Sequence, residues 1–182
     1  IRFARALPYE LHVNGHADVK KNTFEIVFAN SGRQGAHFYV YSTNRTDGPW
    51  RYTVEAGKSL SESFDLTTNG VYTFEVFGPN GFVRKFAGNT QTATAQTAQA
   101  GGWHGHNKPA EQEIKVQYDV ANGNVFIKFS NKGGGIARLT VTDNAYGART
   151  RPVLVPAGAH IEEGWVLASS HHWYDLTVTS ND

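Results

Sequence analysis

The sequence has no cysteine and no methionine among its 182 residues. Without cysteine the chain forms no disulfide, holds no metal through thiolates and has no cysteine nucleophile. Its formal net charge is only +1, so it lacks the strong field that draws proteins to nucleic acids, and we expect no nucleic-acid partner. No apolar run approaches the roughly 18 residues of a transmembrane helix. These absences favour small domains held together by their own apolar cores.

One stretch of the chain occurs twice. Residues 24–42 read FEIVFANSGRQGAHFYVYS, and residues 125–143 read VFIKFSNKGGGIARLTVTD. The two stretches align at a constant offset of 101 residues, which pairs Phe28 with Phe129 and Asn30 with Asn131. Further along the chain one extra residue raises the offset to 102, so that Tyr72 answers Tyr174. A repeat this long with so little slippage indicates two copies of one domain.

Apolar residues alternate with polar ones between turn signals, which predicts short β-strands. In the first copy Phe24, Ile26 and Phe28 share the core face of a strand; on the next core strand Tyr39 and Tyr41 point the other way. We place the first strand at residues 9–13, ended by a turn at Asn14-Gly15. Seven such strands and no helical period predict that each copy is an immunoglobulin-like antiparallel β-sandwich, so the chain is all-β.

The repeat sets the predicted domain boundaries. The first sandwich takes residues 7–88 and the second residues 113–182, and residues 89–112 form a flexible linker rich in Thr, Gln, Ala and Gly. The second copy stops where the first has the turn Pro79–Gly81, so we expect it to lack its last strand and the natural chain to continue. Because the sequence opens at Ile1, we read it as a fragment of a longer protein.

No pattern in the sequence indicates a catalytic centre, and we expect no catalytic, cofactor-binding or metal-binding residue. The histidines form two close pairs, His104 with His106 and His171 with His172, but neither has the further ligands that zinc requires. Residues 56–59, Ala-Gly-Lys-Ser, resemble the end of a phosphate-binding loop, yet a strand follows instead of a helix. A turn is the simpler interpretation.

Two tryptophans stand apart from the core alternation. Trp50 aligns with Arg151 of the second copy, and Trp103 lies in the linker, so the repeated fold does not require either ring. An indole on a loop suits an interface with protein, sugar or lipid headgroup; the alternative is a ring packed against its own sandwich. With the nearby basic residues, the candidate contacts are Trp50, Arg51, Trp103, Arg45, Arg84 and Lys85.

Four motifs resemble the paired C-terminal domains of bacterial phosphocholine-specific phospholipases C. They are ARALPYELHVNG at 4–15, GAHFYVYS at 35–42, PWRYTVEAGKSL at 49–60 and GVYTFEVFGPNGFVRKFAGN at 70–89. The resemblance covers nearly all of the chain outside the linker. It implies an upstream N-terminal catalytic domain that releases phosphorylcholine from phosphatidylcholine or sphingomyelin, in an exported, extracellular bacterial enzyme. Since none of that domain is in this sequence, no catalytic residue is transferred.

Two functional hypotheses follow. In the first, the chain is an accessory module that supports the catalytic domain or holds it at a phospholipid membrane, through loop aromatics and a few basic residues. In the second, it is a carbohydrate-binding or adhesive β-sandwich whose aromatic side chains stack on sugars. Vesicle binding and glycan binding distinguish them.

Overall fold

The computed structural model describes residues 7–67, 69–91 and 112–180, and nearly all of them form strands, turns and loops. The chain divides into two compact units, Ile1–Thr94 and Ala95–Asp182. Each unit has two antiparallel sheets with its own core between them. The predicted all-β chain with two sandwich domains is confirmed; the finer immunoglobulin-like assignment stays a prediction.

The first domain has seven strands. They are β1 (Leu11–Asp18), β2 (Thr23–Asn30), β3 (Ala36–Tyr41), β4 (Trp50–Val54), β5 (Lys58–Asp65), β6 (Val71–Phe77) and β7 (Val83–Asn89). One sheet has the order β1-β2-β5 and the other β4-β3-β6-β7. A 3₁₀ turn at Pro79–Gly81 joins β6 to β7.

The second domain repeats the first six strands in the same order. They are β8 (Gln112–Asp119), β9 (Asn124–Asn131), β10 (Ala137–Asp143), β11 (Arg151–Val155), β12 (His160–Trp165) and β13 (Leu176–Ser180). Its sheets are β12-β9-β8 and β11-β10-β13, and a 3₁₀ turn at Ala168–Ser170 precedes β13. Within the described residues no strand corresponds to β7.

The cores form because apolar side chains alternate along facing strands. Phe28 on β2, Phe38 on β3 and Phe74 on β6 are fully buried in the first domain, and Phe129 is fully buried in the second. Each such ring contributes on the order of 1.5–3 kcal/mol through removal from water. The alternation that predicted these strands therefore also identifies the side chains that hold the two sheets together.

A buried asparagine fixes the same loop in both domains. Asn30 donates from Nδ2 to the carbonyls of Gln34, at 2.6 Å, and Val54, at 3.3 Å, and its Oδ1 accepts from the Gly32 amide. Asn131 makes the equivalent three bonds with Gly135, Val155 and Gly133. Buried polar groups are costly unless hydrogen-bonded, so this side chain ties the β2–β3 loop, and its β9–β10 counterpart, to the end of the neighbouring strand.

The predicted turn at Asn14-Gly15 is wrong, because both residues lie inside β1 and pair with β2. Gly15 is needed there for space: a Cβ atom would stand 2.5 Å from Cζ of Phe24 and 2.9 Å from the ring of Phe86. The chain turns later, after Asp18 accepts bonds from the next backbone amides. In the second domain Val116 takes the place of Gly15.

Candidate functional site

The outer face of the sheet β4-β3-β6-β7 carries exposed aromatic rings. On β3, Phe38 and Val40 point into the core, so Tyr39 and Tyr41 point outward. They are 38% and 45% exposed. Phe77, at the end of β6, lies on the same side of the sheet, because strand pairing aligns it with Tyr39. A single exposed ring is ordinary, but rings grouped on one sheet face are typical of an interaction surface.

Strand register brings charged side chains beside these rings. Tyr39 is paired with Arg51 on β4, and Tyr41 is paired with Glu75 on β6, which in turn is paired with Lys85 on β7. We call this surface the aromatic face; its members are Tyr39, Tyr41, Phe77, Arg51, Glu75 and Lys85.

The geometry of the aromatic face is defined by three contacts. The rings of Tyr41 and Phe77 meet edge to face, with centroids 5.7 Å apart and planes at 81°. Cζ of Arg51 lies 5.7 Å from the centroid of the Tyr39 ring, a cation–π distance. Nζ of Lys85 lies 2.7 Å from Oε1 of Glu75. Tyr39, Tyr41, Glu75 and Phe77 line a shallow depression of about 510 Å³.

The second domain has none of these rings at the equivalent positions. Threonines stand there on β10 and β13, and Thr140 pairs with Thr179 as Tyr39 pairs with Phe77. Thr142 likewise pairs with Thr177 as Tyr41 pairs with Glu75. The sandwich therefore folds without an aromatic face, and the rings of the first domain are not required by the architecture.

Two of the residues predicted from sequence belong to the aromatic face. Arg51 stacks on Tyr39, and Lys85 pairs with Glu75. Trp103 lies outside the described residues. The structure thus brings Arg51 and Lys85 to one surface, together with rings that the candidate set did not include.

Trp50 is placed differently from the loop indole expected from sequence. It begins β4 and is half-buried, and its ring meets the Phe64 ring edge-on with centroids 4.9 Å apart. Arg45 covers the indole, with Cζ 5.5 Å from the ring centroid. Trp50 therefore packs against its own sandwich, which was the alternative interpretation of this residue, and its role as a contact stays a prediction.

Arg45 and Arg84 are engaged within the first domain. Arg45 forms a two-bond ion pair with Asp47, at 2.9 and 2.6 Å, and also donates to the Asp65 carbonyl. The hydrogen bond with Asp47 raises the pKa of Arg45 and lowers that of the Asp47 carboxyl. Arg84 alternates with the outward Lys85 on β7, and its Cζ lies 5.3 Å from the Phe82 ring centroid. Neither residue joins the aromatic face.

The second domain has a smaller apolar feature at one end. Trp173, 64% exposed, and Tyr146, 48% exposed, help line a cavity of about 140 Å³ beside Trp165. The loop there is held by Asp143, whose carboxylate accepts bonds from the amides of Ala145, Tyr146 and Ala148. Bonds from the Ala148 and Tyr146 amides are the main reason that the pKa of Asp143 is lowered.

Sequence reasoning missed Tyr39, Tyr41, Phe77 and Trp173 as candidates. The signal for the first three was present: alternation points them away from the core, and the repeat has threonine at the aligned positions. Trp173 lies where the offset changes from 101 to 102, so it belongs to a segment that the first copy does not reproduce. Differences between the two copies at outward-facing strand positions are therefore a better guide to functional residues than differences at other positions.

The other sequence motifs have structural roles. The Gly57 amide donates to the Asn30 carbonyl, and Lys58 pairs with Glu55, so the phosphate-loop-like segment is a turn that joins β4 of one sheet to β5 of the other. His172 bonds through Nδ1 to the Gly123 carbonyl at 3.1 Å. Across residues 7–67, 69–91 and 112–180 no three histidine or carboxylate side chains gather as they would around a metal ion. The described part of the chain also contains no helix long and apolar enough to cross a bilayer.

Two antiparallel β-sandwiches in tandem, one of them with an aromatic face, place the chain among all-β proteins with two sandwich domains. The chain matches the family described as "Bacterial phospholipase C, C-terminal domain" over residues 3–89 and 112–182, and it belongs to that family. This confirms the resemblance found in the sequence motifs.

Three curated relatives support the same family assignment. The chain is 45% identical to a non-hemolytic phospholipase C of Burkholderia pseudomallei over 98% of its own length and 24% of the relative's. It is 39% identical to a non-hemolytic phospholipase C of Pseudomonas aeruginosa, over 99% and 25%. It is 34% identical to a hemolytic phospholipase C of the same organism, over 97% and 26%. The chain thus spans about a quarter of the length of these relatives.

Proposed function

We propose that this chain is the non-catalytic C-terminal accessory region of an exported bacterial phospholipase C, and that the aromatic face of its first domain engages the phospholipid membrane. Its covalent partner is an N-terminal catalytic domain that releases phosphorylcholine from phosphatidylcholine or sphingomyelin. The observation that carries the proposal is that the aromatic face is exposed in the first domain and replaced by threonine in the second. Nothing in the shared fold accounts for two exposed tyrosine rings beside a half-buried Phe77.

The chemistry of the aromatic face suits a lipid–water boundary. Tyrosine has an apolar ring and a polar hydroxyl, so it is stable where one side is apolar and the other is wet. Arg51 and Lys85 flank the rings, and cations at this position approach lipid phosphates while their stems cover apolar surface. With a net charge of +1, binding rests on ring burial more than on a long-range field.

The test is co-sedimentation of the 182-residue chain with phosphatidylcholine vesicles. The variant Tyr39→Thr/Tyr41→Thr/Phe77→Thr installs the residues that the second domain already accommodates, so it should remain folded. We expect retention on vesicles to fall by about tenfold or more, since each ring contributes on the order of 0.5–1.5 kcal/mol. Tyr146→Thr is the matched control, because it removes a similarly exposed tyrosine from the second domain. Retention should change little when salt is raised, unlike binding by a charged patch.

The same rings also favour a carbohydrate-binding or adhesive module, since sugar rings stack on exposed aromatic side chains. In that case the chain binds a glycan array and is not retained on vesicles, and the triple threonine variant loses the glycan signal. Unchanged vesicle retention in the triple variant would assign membrane contact to another surface, for which Trp50→Ala and Trp103→Ala are the next variants. No retention of the unmodified chain on vesicles would overturn the proposal.

A further inference from the structure

The rings of Tyr41 and Phe77 form a corner with a carboxylate beside it. Their planes stand at 81° with centroids 5.7 Å apart, so a small group entering the corner faces two ring surfaces or edges at nearly a right angle. Glu75 pairs directly with Tyr41 in the strand register and lines the same depression as both rings. A pair of perpendicular rings with a nearby negative charge is the arrangement that recognises a quaternary ammonium group.

The Glu75–Lys85 ion pair makes the corner complementary to a zwitterion. Its two charges are 2.7 Å apart, and the side chains of Lys85 and Glu75 are 65% and 32% exposed, so both remain accessible from solvent. A ligand with a positive and a negative group can lie antiparallel to this pair, with its cation at Glu75 and the rings and its anion at Lys85. A neutral sugar would use the rings but not this alternation of charge.

We infer that the Tyr41–Phe77–Glu75 corner is a binding site for a quaternary ammonium group, and that Lys85 contacts the phosphate of a phosphocholine zwitterion. The trimethylammonium group packs on Tyr41 and Phe77 beside Glu75. Unlike a protonated amine it has no N–H to donate, so it loses little when water leaves the corner. This inference deepens the proposed function by naming the lipid headgroup that the aromatic face would select. The contact between Lys85 and the phosphate rests on that proposed function.

The second domain provides an internal reference for this site. Thr142, Thr179 and Thr177 stand where the first domain has Tyr41, Phe77 and Glu75. Since the second domain shares the fold but not the corner, a ligand specific for the corner should perturb the first domain alone. Such a comparison within one molecule removes differences in concentration, salt or folding between samples.

The experiment is an NMR titration of the 182-residue chain with tetramethylammonium chloride, with tert-butanol as a neutral probe of similar shape. We expect saturable shifts of the Tyr41 and Phe77 ring signals with tetramethylammonium and none that saturate with tert-butanol. Phe77→Thr should abolish saturation, and Glu75→Gln should weaken binding several-fold. Tyr146→Thr should leave it unchanged. Equal responses to both probes, or a response that survives Phe77→Thr, would overturn the inference.

A second titration tests the phosphate and separates the possible sources of the ligand. Phosphocholine should bind several-fold more tightly than tetramethylammonium, and Lys85→Gln should remove that difference while leaving tetramethylammonium binding nearly unchanged. Equal affinity for the two probes would overturn the role of Lys85. If phosphocholine also displaces the chain from phosphatidylcholine vesicles, the headgroup in the bilayer occupies the corner; if it binds without displacing it, the corner serves the soluble phosphocholine instead.

The inference and the proposed function fail separately. Saturable binding of tetramethylammonium by a chain that is not retained on vesicles supports the corner and contradicts membrane engagement. Retention on vesicles that the triple threonine variant loses, without any response to tetramethylammonium, supports membrane engagement and contradicts the corner.

Discussion

The guanidinium of Arg151 lies over the indole of Trp165, with Cζ 4.4 Å from the ring centroid. The first domain has Trp50 and Phe64 at these two positions, with ring centroids 4.9 Å apart. The indole thus lies at the start of β4 in one domain and at the end of β12 in the other. In both domains a planar group packs against a ring near the end of the next strand along the chain, which belongs to the other sheet, and either an indole or a guanidinium supplies that group.

Trp50→Ala should therefore reduce the stability of the first domain. Its half-buried ring packs on Phe64 and also approaches Phe74, at 6.3 Å between centroids, so its loss should lower the free energy of unfolding by about 2–4 kcal/mol. Urea denaturation measures this. Arg51→Ala is the control. Arg51 is the residue after Trp50 and is exposed on the outer face, so its replacement should change the free energy of unfolding by less than about 0.5 kcal/mol. Equal effects would show that Trp50 is not part of the packing.

The buried asparagines should be sensitive to replacement. Asn30→Ala leaves the carbonyls of Gln34 and Val54 and the amide of Gly32 without this partner. We expect a loss of about 2–4 kcal/mol in urea denaturation, since each buried polar group left unsatisfied costs about 1–3 kcal/mol. Asn131→Ala should cost a similar amount in the second domain.

Asn30→Asp separates the acceptor from the donors. The aspartate retains an oxygen for the Gly32 amide but has no N–H for the two carbonyls, and it places a charge in a buried site. It should be at least as destabilising as Asn30→Ala. A variant as stable as the unmodified chain would contradict the assignment of the Nδ2 bonds.

Gly15→Val should destabilise the first domain, although the second domain has Val116 at this position. The added side chain collides with the rings of Phe24 and Phe86, and overpacking of this kind costs about 1–3 kcal/mol. Adding Phe86→Ala should recover part of the loss, since it removes one of the two rings. Denaturation curves of the single and double variants test the coupling, and strictly additive losses would argue against it.

Asp143 should make the second domain sensitive to acid. The pKa of Asp143 in the folded chain is lowered from the usual 3.8. Its contribution to the free energy of unfolding is therefore complete above about pH 3.8 and is lost as the pH falls through the lower folded pKa. Asp143→Ala should destabilise the chain at about pH 7, and the difference should shrink at about pH 2.5. Urea denaturation at both values measures it; a difference that does not shrink would mean that the carboxylate charge is not involved.

Period-two alternation predicted most of the fold. Phe24, Ile26 and Phe28 on β2 and Phe38 on β3 are buried as expected, because the alternation of a strand is a local property that the sequence records directly. The repeat supported the strand order, since two copies with the same spacing fold in the same way. The second domain follows the first through six strands.

The candidate site was only partly predictable, because its parts come from different strands. Phe77 reaches Tyr41 only through the pairing of β3 with β6, and Lys85 reaches Glu75 only through the pairing of β6 with β7. Gly15 was misread for the same reason: the rings that require it approach from other strands, and a local Asn-Gly pair otherwise indicates a turn. Trp50 looked optional because the second copy has Arg151 in its place. The indole that Arg151 packs against is Trp165, which lies at a distant position in the sequence.

The presence of the aromatic face in one domain only makes the chain monovalent for whatever that face binds. Thr140, Thr142 and Thr179 hold the equivalent positions of the second domain empty of rings. A tandem pair with two such faces would gain avidity, because the second contact becomes intramolecular once the first has formed, with an increase of up to about 10²–10⁴ where geometry allows. Under the proposed function, each chain makes one contact through this face and does not gain that increase.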